Sequence, residues 1–205
     1  MDVDIISMSW TIGKSYKDGQ KKEALGELDR AIRVASSKDI LMFCAARDEG
    51  LEQPTEIPFP AASDVKNIHV IGAAAPSGAA STWVNDTTVH FLFPGTELRE
   101  SRPKLIPPGM PAVDGSSSAT ALASGLAGLL LCILSTDTKK EWDPQKSERR
   151  HEKINNILGS VRGDKKYVQV WDLFDQFIRK PGSEGDLKVL QNMVDTLLVY
   201  SKRQA

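Results

Sequence analysis

Short apolar runs alternate with an amphipathic stretch along the first third of the chain. Apolar residues dominate positions 4–9, 40–46 and 68–73, which is typical of strands buried in a sheet. Residues 21–36 instead repeat apolar positions at helical spacing with charges opposite, the pattern of an amphipathic helix. A strand, a helix and a strand in this order predict parallel pairing. The expected fold class is therefore α/β, a mostly parallel sheet with flanking helices in three layers.

The longest apolar run, residues 119–134, follows a Gly/Ser-rich turn that contains Gly115 and Ser117. The run is apolar nearly all round, which predicts a helix buried at the centre of the domain. The first N–H groups of such a helix lack internal partners and favour negative charge, so that Ser117 is a candidate for chemistry. Small residues spaced by three or four are expected to let the helix approach the sheet closely: Ala121, Gly125, Gly128 and Cys132.

The C-terminal third differs in composition from the rest. We interpret residues 1–135 as the core of one domain, residues 136–148 as a polar linker, and residues 149–205 as helices that pack on the same domain. Helical periodicity is found at positions 149–162, 170–179 and 187–200. The chain length of 205 residues is sufficient for one substantial core.

Charge and cysteine content exclude several classes of function. The chain has 26 Lys and Arg against 27 Asp and Glu, so no overall field attracts it to nucleic acid or an anionic membrane. The start of the chain is acidic, and the run 119–134 is too short for a membrane span; we therefore expect a cytoplasmic protein without a signal peptide. Cys44 and Cys132 lie in apolar runs, which predicts buried free thiols. No metal and no cofactor are expected.

The turn and the apolar run resemble the nucleophile motif of the subtilisin-like serine peptidases, Gly-Thr-Ser-Met-Ala-Ser-Pro-His-Val-Ala-Gly. In this alignment the nucleophilic serine of the family falls on Ser117, and the two glycines fall on Gly115 and Gly125. Three positions depart from the motif, with Thr120, Ala121 and Leu122 in place of the usual Ser, Pro and His.

Four further segments resemble the family in the same order. Residues 3–9 are similar to its Val-Asp-Val-Ile-Asn-Met-Ser strand, and residues 45–50 to its Ala-Ala-Gly-Asn-Glu-Gly turn. The asparagine of that turn donates to the oxyanion in the family; here Asp48 stands at this position, after Arg47 in place of a glycine. Residues 68–73 and 89–95 complete the match. The resemblance covers residues 2–179 and implies the C-terminal part of a subtilisin-like fold, with its N-terminal strands missing.

The resemblance supplies one member of the catalytic triad out of three. In the family the order is Asp, His, Ser, and the Asp and His motifs are absent from this chain. His69 lies inside a strand and is interpreted as a core residue, while His90 and His151 fit no catalytic pattern. The implied function is a serine endopeptidase that acts on peptide or protein substrates if an upstream segment completes it, and that is inactive as this chain.

Alternatives remain open at this point. The chain is either the truncated part of a peptidase, or a pseudopeptidase or interaction module that keeps the fold. An unrelated anion-binding α/β domain ranks last, because no phosphate-loop pattern is present. Ser117 could be a helix N-cap and Asp48 an ordinary turn residue. If residues 4–9 form an edge strand, its unpaired backbone groups predict self-association.

Overall fold

A computed structural model describes residues 3–13, 19–49, 57–99, 112–136, 149–163, 165–178 and 186–202. Four strands and five α-helices are described in this order: β1 (Ile5–Met8), α1 (Gly19–Ser37), β2 (Leu41–Ala45), β3 (Ile68–Ala74), β4 (Phe91–Pro94), α2 (Ser116–Ser135), α3 (Arg150–Ser160), α4 (Val170–Ile178) and α5 (Asp186–Ser201).

The four strands form one parallel sheet in the order β1-β2-β3-β4. Ile5 pairs with Leu41 across β1 and β2, and Ile71 pairs with Phe91 across β3 and β4. The prediction of an α/β fold with a parallel sheet is thus confirmed. The strand β4 was not predicted as a strand, because four residues that end in a proline give too short a pattern to distinguish from a loop.

The alternation of side chains along the strands separates two apolar layers. One face of the sheet packs against α1, through residues such as Met42 and Cys44 that contact the cluster of Ile32. The other face packs against α2 and the C-terminal helices; its largest fully buried side chains are Phe43, Phe91 and Phe93. Helices therefore cover both faces of the sheet, as parallel sheets require.

The helix α2 contacts all four strands and is the central helix of this face. Ala119, Ala123 and Ala127 are fully buried, and their methyl groups allow a close approach to the sheet. The small-residue stripe predicted for this role is largely on the other side. Ala121, Gly125 and Cys132 are exposed, and only Gly128 comes near the sheet, where an added Cβ would lie 3.7 Å from Ile5 Cδ1.

The prediction that α2 is buried all round is wrong. Leu122 is 46% exposed and Leu129 is 50% exposed, so one side of the helix is apolar and uncovered by any described residue. Cys132 lies on this side and is exposed, contrary to the expectation of a buried thiol, whereas Cys44 is buried as predicted. Apolar residues all round a helix predict that every side of it is buried. They do not show which other segments pack against each side.

β1 is an edge strand of the described sheet and is less buried than predicted. Only Met8 of this strand is buried, and the flanking Val3 and Trp10 are 42% and 41% exposed. The helix α2 packs on β1 through Ser124 and Gly128, and it has an uncovered side of its own at Leu122 and Leu129. We call the half-exposed leucines of α2, Leu122 and Leu129, together with the free edge of β1, the open edge.

By length and composition alone, α2 could cross a membrane. The helix has 20 residues, so the expectation that the apolar run is too short does not hold. The core helix of a globular domain satisfies the same criterion, and α2 packs on all four strands here.

The three C-terminal helices join the α2 face of the core. Their buried residues belong to the same cluster as those of α2: Ile154, Ile157 and Leu158 from α3, Leu173 from α4, and Val194 and Leu197 from α5. Residues 137–148, which make up nearly all of the predicted linker, lie outside the described residues.

Candidate active site

Residues Gly115, Ser116 and Ser117 form the connection into α2, and we call them the serine turn. The carboxyl ends of the outer strands both bind it. The Ser9 hydroxyl, just beyond β1, donates to the Ser117 carbonyl oxygen at 3.0 Å. The Gly115 N–H donates to the carbonyl oxygen of Gly95, just beyond β4, at 2.7 Å.

The two central strands bind the middle residue of the serine turn. The N–H of Ala73 in β3 donates to Ser116 Oγ at 3.0 Å. Ser116 in turn donates twice to Asp48, which follows β2: its N–H to Oδ2 at 2.8 Å and its hydroxyl to Oδ1 at 2.6 Å. Ser116 is fully buried and so is its bond with Ala73, whereas Asp48 is exposed and its two bonds are only partly buried. All four strands therefore hold the serine turn in place.

Gly115 has a conformation and surroundings that other residues would not tolerate. Its φ angle is +133°, a region that favours glycine. A Cβ at this position would lie 3.3 Å from Asp48 Oδ2, 3.3 Å from Ser117 Oγ and 3.9 Å from Ser117 N. The absent side chain thus leaves a small hollow that is lined by a carboxylate oxygen, a hydroxyl and a backbone N–H. The Asp48 and Ser117 oxygens are consequently no farther apart than twice 3.3 Å.

Ser117 itself is exposed, although its backbone is held on both sides. It is the second residue of α2, and no described residue makes a hydrogen bond to its hydroxyl. The structure therefore brings Ser117 and Asp48 together beyond the carboxyl ends of the strands, where ligands bind in open parallel sheets. Ser9 and Ser116 were not predicted, since their partners come from segments about 70 to 110 residues away.

All three histidines lie toward the other end of the sheet. His69, the second residue of β3, is 3% exposed and packs near the rings of Phe43 and Phe91. The prediction that it is a core residue is confirmed. Ala73 lies four residues further along β3, so His69 is roughly 13 Å from the serine turn.

The other two histidines lie at the same end of the sheet. His90 stands just before β4, and its Nδ1 accepts a hydrogen bond from the Val70 N–H at 3.1 Å. His151 lies in the first turn of α3, with Nδ1 3.1 Å from Asp39 Oδ1, and Asp39 lies just before β2. None of these side chains reaches the serine turn.

Burial determines the protonation state of His69. It lowers the pKa of His69 to about 3, with smaller contributions from the positive charges of His90 and His151. Its Nε2 has no hydrogen-bond partner in the described part of the structure. His69 is therefore neutral at physiological pH. Within the described ranges, no group of three or more His, Cys, Asp or Glu residues is placed to hold a metal ion.

Comparison with known proteins agrees with this architecture. The model of the subtilase family of peptidases matches residues 1–152, and the chain belongs to this family. No curated relative matches the sequence.

Two solved maturation proteases have a similar fold. The Prenylagaramide maturation protease PagA is 21% identical, with a TM-score of 0.53, over 82% of this chain and 60% of its own. The Patellamide maturation protease PatG is 14% identical, with a TM-score of 0.53, over 93% of this chain and 51% of its own. The chain thus spans about half to three fifths of the length of these structures.

Proposed function

We propose that Ser117 occupies the nucleophile position of a subtilase peptidase site, and that this chain does not hydrolyse peptide bonds by itself. The observation that carries this proposal is the serine turn. Residues in or just after the four strands hold residues 115–117 by hydrogen bonds, yet the Ser117 hydroxyl is exposed beside the N-terminus of α2. A turn that serves only as a helix cap has no need to present a hydroxyl to solvent.

Catalysis by a serine requires a base that takes its proton. The three histidines lie toward the opposite end of the sheet, and His69 is roughly 13 Å away along β3. The catalytic Asp and His that the family uses have no counterpart in this sequence. Peptide or protein substrates would be cleaved only if another segment supplied these groups. No cofactor enters the proposal, and a cytoplasmic location stays a prediction from the sequence.

A fluorophosphonate probe, which reacts with activated serines, tests this proposal. We expect no labelling of the purified chain and no cleavage of a mixed peptide library. Ser117→Ala is the matched control, since it removes only the exposed hydroxyl. Stoichiometric labelling that disappears in Ser117→Ala would contradict the proposal, because it would require a base that we have not identified.

A second candidate function, a non-catalytic interaction module, is favoured by the open edge. An uncharged strand with a free edge is a template for pairing with another chain, and the half-exposed Leu122 and Leu129 lie on the helix beside it. We propose that the purified chain self-associates through this edge. That the chain binds neither nucleic acid nor membranes remains a prediction from the sequence.

Light scattering over a range of protein concentrations tests this candidate. The double substitution of Leu122 and Leu129 by lysine should shift the chain toward the monomer. Val34→Lys is the matched control, because Val34 is also 50% exposed but lies on α1; it should leave the association unchanged. A wild-type chain that is monomeric at every concentration would exclude self-association.

A further inference from the structure

The first turn of α2 combines a helix N-terminus with a carboxylate from a distant segment. The N-cap residue Gly115 provides no side chain, and no side-chain cap bond is formed by it. Asp48, which follows β2, caps the helix instead, since its Oδ2 accepts a hydrogen bond from the Ser116 N–H at 2.8 Å. The unpaired N–H groups of a helix N-terminus favour a negative charge. At this helix, Asp48 already supplies that charge.

Among the described residues, no cation forms an ion pair with Asp48. The nearest basic residue in the sequence, Arg47, forms an ion pair with Glu49. Across the described ranges, no Lys, Arg or His side chain pairs with Asp48. Its partners are the N–H and the hydroxyl of Ser116. Both donors are neutral groups, so neither offsets a negative charge on this exposed carboxylate.

This charge is close to the Ser117 side chain. Asp48 Oδ2 and Ser117 Oγ both line the hollow at Gly115, each 3.3 Å from the position of an added Cβ. Like charges within about 4–6 Å disfavour ionisation of one another. An oxygen or sulfur anion at position 117, or an anionic group bound in the hollow, would therefore be repelled by Asp48.

We propose that Asp48 is a positioning residue that holds the serine turn through Ser116 and, with the same carboxylate, disfavours negative charge at the Ser117 side chain. The inference rests on the proposed function only in treating Ser117 as a nucleophile position. It assigns to Asp48 the role of an acceptor that fixes the turn. It also adds a second reason, besides the missing base, for Ser117 to be unreactive.

A thiol at position 117 measures this effect without any catalysis. In a Cys132→Ser background, Ser117→Cys introduces one exposed thiol, whose alkylation by iodoacetamide is followed by mass spectrometry over a range of pH. The remaining cysteine does not interfere, because burial raises the pKa of the Cys44 thiol to about 12. The midpoint of the pH profile reports the energy of a negative charge at this position.

The pH midpoint expected for the thiol at position 117 differs from that of a thiol at an ordinary helix N-terminus. Such positions lower a thiol pKa from about 8.5 to about 7.5 or below, whereas the charge of Asp48 should keep the midpoint above about 8. Adding Asp48→Asn, which is isosteric and keeps one acceptor oxygen, should lower the midpoint by about one pH unit. A midpoint below about 8 with Asp48 intact, or a fall of less than about half a pH unit in Asp48→Asn, would overturn the inference.

Two controls separate charge from structure. Asp114→Asn removes an equal charge three residues before Ser117, but its Oδ1 accepts from the Glu97 N–H; it should move the midpoint less than Asp48→Asn does. Ser116→Ala keeps the carboxylate charge and breaks one of its bonds, so the midpoint should not fall. A fall as large as that in Asp48→Asn would show a merely structural effect and overturn the inference. Fluorophosphonate labelling of the unmodified chain would refute the proposed function independently of these thiol measurements.

Discussion

The two ends of the parallel sheet hold the chemical groups of this protein in opposite arrangements. At the carboxyl end, the serine turn is hydrogen-bonded to residues in or just after all four strands, and the Ser117 hydroxyl is exposed and bonded to no described residue. Toward the amino end lie the three histidines, of which His69 is buried and His151 is bonded to Asp39. Ser117 and the three imidazoles thus lie toward opposite ends of the sheet.

This contrast shows that a serine turn held by the sheet and a nearby base are separate requirements for catalysis by a serine. The bonds of Ser116 to Asp48 and Ala73 hold the turn against the sheet and involve no base. A base and its orienting group have to come from elements that reach the same end of the sheet. Substitutions at the two ends should accordingly change different properties.

The largest effect is expected at the amino end, on acidification. Because burial lowers the pKa of His69 from 6.5 to about 3, the unfolded chain binds a proton below pH 6.5 that the native state does not accept until about pH 3. Stability from neutral His69 is therefore fully present above pH 6.5 and is lost as the pH falls. The loss should reach about 3 kcal/mol near pH 4. Urea unfolding at a series of pH values measures it.

The control for this prediction is His69→Leu, which removes the titrating group and its unpaired Nε2. At pH 7 this substitution should leave the free energy of unfolding nearly unchanged or raise it. Between pH 6.5 and pH 4 the free energy of unfolding of His69→Leu should fall less steeply than that of the unmodified chain. Equal slopes for the two proteins would show that His69 does not cause the acid sensitivity.

A somewhat smaller effect is expected from Gly95→Ala at the carboxyl end. The new Cβ would lie 2.5 Å from Ala73 Cβ and 2.8 Å from Ala73 Cα, and neither atom can rotate away. Gly95 also accepts the hydrogen bond from Gly115. The free energy of unfolding should fall by about 2–3 kcal/mol, as measured by urea denaturation.

The matched control is Gly125→Ala on the exposed side of α2, where no atom lies within 4 Å of an added Cβ. There the higher helix propensity of alanine should stabilise the chain by up to about 1 kcal/mol. Equal effects of the two substitutions would argue against the close approach of Gly95 to Ala73 of β3.

The two adjacent serines of the serine turn, Ser116 and Ser117, should differ in their contribution to stability. Ser116→Ala leaves the buried Ala73 N–H without a partner and removes one bond to Asp48, which should cost about 1–2 kcal/mol. Ser117→Ala removes a hydroxyl that no described residue contacts through a hydrogen bond, so stability should change by less than about 0.5 kcal/mol. Thermal unfolding of the two variants distinguishes them, and a larger loss in Ser117→Ala would contradict the geometry of the turn.

Much of the fold could be predicted because β2 and β3 are fully buried strands with continuous apolar runs. The orientation of α2 could not be predicted, since alanines and leucines occur all round the helix. Whether Leu122 faces the sheet or solvent depends on which segments are present to cover it. β4 was missed because Phe91–Pro94 is short.

The candidate site was predictable at the level of positions and less so at the level of contacts. A turn that follows β2 and a turn that starts α2 were expected at the same edge of the sheet, and the structure places Asp48 and Ser117 there. The bonds from Ser9 and Ser116 depend on the register between strands far apart in the chain. Local sequence patterns contain no information about that register.

The most direct test of the central claim, that Ser117 is positioned as a nucleophile but lacks a base, is chemical rescue. Fluorophosphonate labelling of the purified chain is measured with and without free imidazole, which can diffuse to the exposed hydroxyl and act as the base. We predict no labelling without imidazole, labelling that increases with imidazole concentration, and no labelling of Ser117→Ala under either condition. Labelling of the unmodified chain at Ser117 in the absence of imidazole would contradict the claim.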